Sequence, residues 1–426
     1  MNFKFGRPTL GICIVAVLTA CGASQSPIST PLTPSQITER PAVESFQVLH
    51  YFNGGVHDGA SPRAGLKDVN GTLYGTTLEG GGSGCGYGTG CGTVFSISTS
   101  GTENIVHRFA GKADGWAPYA SLTDVNGTLY GTTRYGGGSG CVEMFGCGTV
   151  YTINASGTEQ VLYAFNNYAN GTQPFASLIN VNGKLYGTTW HGGPSSNGTV
   201  YSITKSGTEK VLHNFAGSPD GALPFANLVN VNGILYGTTW GGGSGCGPSA
   251  GCGTVYKISK TGVKKVLYSF KSGSDGANPN AGLIAVNGML YGTTSPFVGC
   301  GSSSGGCGTV FRISTTGSEK PLHQFGEASD GSQPLAGLIN VKGTLYGVTE
   351  TGGAASGCSF HGGCGTVYSI TTSGSENVLH NFSGADGAYP VANLNYVGGT
   401  FYGTTSEGGH ECKSTGGCGT VFALTP

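Results

Sequence analysis

Two of the three tryptophans in this 426-residue chain, Trp190 and Trp240, each stand one residue after the same pentapeptide, LYGTT. The motif recurs with its tyrosine at 74, 130, 186, 236, 291, 346 and 402, with Val348 and Phe401 as small departures, while the residues that follow it change from copy to copy. Arg134 and Tyr135 follow the second copy, Trp190 and His191 the third, Trp240 the fourth and Phe297 the fifth; Glu79, Glu350 and Glu407 follow the first, sixth and seventh. Aromatic rings on neighbouring repeats suit stacking against sugar rings or gripping a protein partner. The alternative is that they pack down on their own glycine-rich loops.

Other residues offer chemistry at lower specificity. His57, His361 and His410 with Glu407 and Glu411 would make a metal or acid/base site if the fold brought them together, and are otherwise scattered surface residues. An Asp-Gly recurs at Asp58, Asp114, Asp220, Asp275, Asp330 and Asp386, with Asn170 in the remaining copy. One carboxylate per loop lacks the clustered oxygens that calcium needs, so an Asx-turn is expected. The histidine of VLHxF (His50, His107, His213, His323, His380, with Tyr163 and Tyr268 in the same place) recurs too regularly to mark one active site. GSSSG places Ser303 in a nucleophile-elbow pattern, but between strands and with no helix to follow. A sialidase-like site needs clustered arginines, and the candidates are Arg63, Arg108, Arg134 and Arg312, two of them on outer strands. No catalytic residue is assigned, and no cofactor or metal is expected.

The elements that must position these residues are legible from the repeats. Each period of 50 to 56 residues holds four strand-length segments, clearest in ANLVNV (226–231), ILYGTT (234–239), GTVYKIS (253–259) and KVLYSF (265–270). They are rich in β-branched and aromatic residues, and Asn232-Gly233 between the first two is a hairpin signal. Four strands per period is the blade of a β-propeller. The region opens on a segment of the fourth kind, FQVLHYF (46–52), and finishes on one of the third, GTVFALTP (419–426). Seven complete sets therefore exist only if the N-terminal strand completes the last blade, which also removes exposed sheet edges. We expect an all-β, seven-bladed propeller over residues 45–426. The 81 glycines and 10% charged residues agree. With strand directions alternating, the outermost-to-innermost and second-to-third connections share one face, which receives every long loop.

These repeats resemble a known group. The run from SGTEKVLHNF through DGALPFANLVNVNG to LYGTT is similar to the GloVer tandem-repeat ("choice-of-anchor") proteins, and more distantly to kelch-type propellers. The resemblance implies an exported, surface-attached propeller with no established activity. Members of that group often carry a C-terminal sorting signal; here the sequence stops at Pro426 right after a strand, and Cys21 is expected to replace that anchor.

Residues 1–20 read as a signal peptide, with Lys4 and Arg7 before the apolar Thr9–Ala20. LTAC (18–21) resembles a bacterial lipobox, so Cys21 is expected to be lipidated, each buried methylene contributing roughly 0.8 kcal/mol to anchoring. Gly22 suggests the outer membrane. Residues 21–44 form a Ser/Pro/Thr-rich tether that reaches at most about 70 Å at roughly 3.3 Å per residue. Twelve further cysteines fall into six pairs, Cys85/Cys91, Cys141/Cys147, Cys246/Cys252, Cys300/Cys307, Cys358/Cys364 and Cys412/Cys418, and the third repeat lacks both members. Joint presence and joint absence indicate a disulfide within each blade, chemically allowed in an exported protein. The net charge of -1 with no basic cluster excludes a nucleic-acid footprint. The expectation is a monomeric binding module whose loop-rich face takes a glycan, touching the membrane only through its lipid; a surface-protein partner or adhesion scaffold, and a hydrolase or lyase, are the alternatives.

Overall fold

Paired threonines explain why the motifs recur. The last Thr of LYGTT and the Thr of GTV face each other on adjacent strands, Oγ1 to Oγ1, at 2.8–2.9 Å in all seven copies from Thr77/Thr93 to Thr405/Thr420. Every one of these hydroxyls is buried. Thr77 Oγ1 donates to the Glu79 carbonyl at 2.8 Å, so it accepts from the Thr93 hydroxyl and from the Thr93 amide at 3.1 Å. The Gly of LYGTT has a separate cause. A Cβ on Gly237 would lie 2.6 Å from the Tyr256 hydroxyl, so the aromatic that ends GTVF or GTVY can cover this strand only where it carries no side chain.

In a computed structural model the described residues are 45–82, 84–85, 88–138, 146–154, 156–166, 168–247, 251–295, 307–326, 329–355, 357–358, 362–410 and 418–426. The signal, Cys21 and the tether lie outside them, as do Phe297, Ser303, His361 and Glu411. Seven four-stranded antiparallel sheets form the blades. In the fourth, Val229–Val231, Ile234–Thr239, Thr254–Ser259 and Lys264–Ser269 run from innermost to outermost. Asn232 and Gly233 take φ of 51° and 84°, the left-handed pair that a tight hairpin needs. Ser45–Tyr51 pairs with Thr420–Thr425 and closes the ring as the outermost strand of the seventh blade. No helix among the described residues is long and apolar enough to cross a membrane.

The core lies between blades. Val150 and Phe165 of the second blade pack with Leu185, Tyr201 and Ile203 of the third, and an equivalent cluster fills each junction, including Phe52, Phe95 and Val421 at the closure. A hydrogen bond ties these seams on the inner side. The first Thr of LYGTT donates to an alanine carbonyl of the next blade, as Thr188 does to Ala226 at 3.2 Å and Thr404 to Ala64 at 3.2 Å. That use of the carbonyl corrects one expectation: Ala226–Leu228 is not strand, and the innermost strand is three residues long. In the sixth blade Val348 stands where the donor should be.

Disulfides join Cys85 to Cys91, Cys246 to Cys252 and Cys358 to Cys364. Cys147, Cys307 and Cys418 are also disulfide-bonded, and Cys141, Cys300 and Cys412 lie outside the described residues. Each bond closes a short glycine-rich loop and restricts the unfolded chain by roughly 2 kcal/mol in the chain-entropy model.

Val348→Thr should supply the missing donor for the Ala392 carbonyl and hold or raise stability, whereas Thr188→Val should lower it by about 1 kcal/mol. Urea unfolding of the two variants checks this; equal losses in both would remove the seam bond as a stabilising feature.

Candidate functional site

The residues shared by all blades meet on the outside of the ring. The outermost strand of every blade carries a bulge, where the ladder skips one residue such as Leu162, between Val161 and Tyr163. Such a bulge re-aims the residue after it. His213 Nε2 thereby meets Asp220 Oδ2 at 2.9 Å, and His323/Asp330 and His380/Asp386 pair at 3.1 and 2.9 Å. Where the histidine is replaced the contact survives: Tyr268 donates to Asp275 at 2.6 Å, and Asn170 Nδ2 donates to the Tyr163 hydroxyl at 3.0 Å. These aspartates do not make the expected Asx-turn. Each accepts an amide from upstream, as Asp220 does from Ala216 and Asp275 from Lys271.

A third residue reaches the same seam from the outermost strand of the following blade. It is Glu103, Glu159, Glu209, Glu319 or Glu376 in five blades and Lys264 in the fourth, while Phe46 of the closing strand stacks on His380 with ring centres 3.7 Å apart. The ligand atoms of His50, Asp58 and Glu103, and of His107, Asp114 and Glu159, lie within 4.8 Å of one another, a donor density that suits a divalent cation. The same place accepts an ammonium in Lys264 and a phenyl ring in Phe46, so its shared role is packing and charge balance. Burial pushes Glu103, Glu159 and Glu319 up to about 7, with the facing Asp58, Asp114 and Asp275 adding to it. Burial opposes ionisation of Asp220 and Asp386 too, but hydrogen bonds from His213 and Lys264, and from His380 and Ser383, hold both below the usual range.

The residues that differ between blades meet at the other edge, around the axial channel. Before each innermost strand runs a turn whose residue ahead of a proline has positive φ: Ser61, Ala117, Gln173, Leu223, Asn278, Gln333 and Tyr389, at 54–58°. Its amide donates to the preceding blade, at the carbonyl of the second cysteine of the pair (Ala117 to Cys91, 3.0 Å) or, in the blade without cysteines, of Asn197 (Leu223 to Asn197, 2.7 Å). Its own carbonyl accepts the amide of the residue after LYGTT: Arg134 to Ala117 at 3.1 Å, Trp190 to Gln173 and Trp240 to Leu223 at 3.0 Å, Glu350 to Gln333 at 2.9 Å. One backbone unit therefore sets both the slot after LYGTT and the residue after the proline, which lines the channel as Arg63, Tyr119, Phe175, Phe225, Asn280, Leu335 or Val391.

Two halves result. On one side Phe175 and Phe225 stack with centres 4.6 Å apart, Tyr119 stands edge-on to both, and Trp190 is edge-on to Phe175 at 5.2 Å. The Arg134 guanidinium carbon sits 4.5, 4.6 and 5.8 Å from the ring centres of Tyr135, Phe175 and Trp190. On the other side Arg63 lies against Tyr119, 5.9 Å from its ring centre. Burial disfavours the Arg63 charge, but Tyr119, Glu350 and Glu407 outweigh it and hold the guanidinium above its ordinary value, and Arg63 in turn acts on Glu79. The pocket that these side chains line is open and measures about 80 Å³, room for a handful of waters, so a larger ligand would rest on the mouth.

A model of the Gloeobacter/Verrucomicrobia repeat matches residues 36–249 and 244–422, nearly the whole propeller. The chain belongs to that family. Among curated proteins nothing matches the chain. Solved structures similar to this repeat protein include the PQQ-bound aldose sugar dehydrogenase of Streptomyces coelicolor, 12% identical with TM-score 0.41 over 90% of this chain and 99% of that one. Another is the gluconolactonase XC5397 of Xanthomonas campestris, 14% identical with TM-score 0.40 over 91% and 98%. Likeness this distant carries no argument about activity.

Within this family member, Arg134, Tyr135, Trp190 and His191 come together as one group, with Trp190 against His191 at 4.2 Å and Tyr135 against Trp116 at 4.6 Å. Trp190 is half-buried in contact with its neighbours and does not stand as a free platform. Trp240 holds the equivalent backbone position one blade on, and Phe297 lies outside the described residues. The glutamates do not share one slot: Glu350 matches Arg134 and Trp190, whereas Glu79 and Glu407 match Tyr135 and His191, as the bridges Trp116/Tyr135, Thr172/His191 and Ala388/Glu407 show. His57 and His410 are exposed, the latter beside Tyr51 at 5.3 Å. Tyr119, Phe175, Phe225 and Arg63 in its channel role were not anticipated, although P-x-A-x-L recurs seven times with six different residues at its second position.

The seam glutamates set a pH dependence. Their folded affinity for protons exceeds the unfolded one, so the stability they contribute is full below about pH 4.5 and is lost as pH rises through about 7. The depressed aspartates act oppositely and lose their contribution as pH falls through their lowered values. Denaturant melts should therefore show greatest stability in mildly acidic solution. The triple variant Glu103→Gln, Glu159→Gln, Glu319→Gln should flatten the decline between pH 5 and 8. An unchanged slope would assign the decline to other groups.

Proposed function

We propose that this propeller is a glycan-binding module whose ligand rests on the aromatic half of the channel mouth. The observation that carries the reading is where the repeat breaks. Core positions keep their residue type in every blade, while the channel-lining and post-LYGTT positions change, and in three consecutive blades they supply Tyr119, Tyr135, Phe175, Trp190 and Phe225 as one cluster. Flat rings with polar edges suit the apolar faces and peripheral hydroxyls of pyranose rings, and a mouth built on a closed ring of blades loses little entropy on binding. Disulfides in six blades support an exported chain, and LTAC supports a lipid on Cys21, which Cys21→Ser should abolish in a palmitate-labelling experiment.

On a glycan array, Trp190→Ala with Phe225→Ala should weaken binding by roughly tenfold or more, about 1.4 kcal/mol, with the fold intact by circular dichroism. Binding that survives in the double variant would remove the aromatic half from the site, and wild-type protein that binds no glycan would leave a protein partner as the better reading. A hydrolytic alternative draws on Glu79, Glu350 and Glu407 gathering about Arg63. Release of reducing ends that is lost in Glu350→Gln would favour it over simple binding.

A further inference from the structure

Arg134 stands out among the charged groups of the mouth. Three rings surround its guanidinium, its Nε is buried without a hydrogen-bond partner, and among the described residues no carboxylate pairs with it. The Arg63 Nε is buried without a partner too, but the carboxylates of Glu350, Glu407 and Glu79 and the Tyr119 hydroxyl all act on Arg63, whereas among the described residues no carboxylate acts on Arg134. The two arginines also feel each other, so the mouth brings together the two that do not lie on outer strands. A half-buried guanidinium without an anion gives up hydration and recovers little of it from aromatic faces, whereas a planar carboxylate would satisfy its fork of N–H groups through charge-assisted hydrogen bonds.

We infer that the ligand of this mouth is an acidic saccharide, whose carboxylate is held by Arg134 while its ring lies on the exposed parts of Phe225 and Trp190, which the buried Phe175 backs. This assignment rests on the glycan reading above and names its substrate class. The charge balance favours a single carboxylate over a phosphate ester. One guanidinium, Arg134, has no carboxylate acting on it among the described residues, and Glu79, Glu350 and Glu407 across the mouth repel a doubly charged group while offering acceptors for sugar hydroxyls. The rings select a cyclic ligand over a small carboxylic acid, since an acid without a pyranose face would leave them uncovered.

The test is calorimetric titration of the purified protein with tetramers of galacturonate, mannuronate and guluronate and with sialyllactose, each against its methyl ester. The expected result is tighter binding of at least one acid than of its ester by roughly tenfold or more, equivalent to about 1.4 kcal/mol. Arg134→Gln should erase that difference, and Arg134→Lys should keep part of it. Melting temperatures of both variants establish that they fold, and the acid-to-ester comparison in wild-type protein stands without them. Equal binding of acids and esters overturns the inference and leaves the glycan reading in place. A preference for acids that persists in Arg134→Gln overturns the role of Arg134. Failure to bind any of these sugars, acid or ester, while neutral array glycans bind, also overturns it, and failure to bind every saccharide overturns both readings.

Discussion

The channel mouth depends on one residue per blade held in the left-handed region directly before a proline. Proline restricts its predecessor toward extended backbone, and a side chain at positive φ is strained again, so a cost on the order of 1–3 kcal/mol is expected at each such turn. No blade relieves it with glycine; the seven residues are Ser61, Ala117, Gln173, Leu223, Asn278, Gln333 and Tyr389. Backbone bonds hold the turn: the amide is fixed by the preceding blade and the carbonyl by the residue after LYGTT. Because neither bond involves a side chain, the flanking positions can change freely while their location in space does not.

A division of labour follows. The paired threonines, the glycine under the aromatic and, apart from Val348, the seams between blades use the same residue types throughout, since each solves a geometric problem that returns with every blade. The outer seam tolerates somewhat more: Tyr163 and Asn170 change together, whereas Tyr268 and Lys264 each change opposite an aspartate that stays. Around the channel the residue after the proline varies, and the backbone and the following alanine recur. Seven positions supplied by one turn can then be filled independently, and here they sort into an aromatic half around Arg134 and a carboxylate half around Arg63.

Much of this was legible in the chain. LYGTT, GTV and the Asn-Gly turns revealed the blade, and the unequal ends revealed how the ring closes, because strand periodicity and turn chemistry are local properties. The paired cysteines were legible for the same reason, being present or absent together. The threonine pairing was not, since register decides which Thr meets which, and register emerges only when strands dock. The site was half legible. Residues after LYGTT advertise themselves by breaking a motif, whereas Tyr119, Phe175 and Phe225 look like ordinary core aromatics. Only the channel, which seven blades enclose jointly, reveals that Phe175 and Phe225 touch across a blade boundary. The grouping of Glu79 and Glu407 with Glu350 failed by one residue, a shift already written in the chain, where Leu78 and Ser406 intervene after the motif but nothing intervenes before Glu350.

The closing strand has a consequence for how the molecule is made. Ser45–Tyr51 is made before every other strand of the propeller, yet its partner, Thr420–Thr425, is made after all of them. Until then the nascent chain carries a growing row of blades with an unpaired strand at its start and an unsealed hydrophobic junction at its end, the kind of edge that recruits other chains. Closure is a contact of very high sequence separation, slow to find but only logarithmically costly in chain entropy. Early blades can form as they emerge, and completion is a single late event that converts an open, aggregation-prone arc into a closed ring whose remaining sheet edges are short.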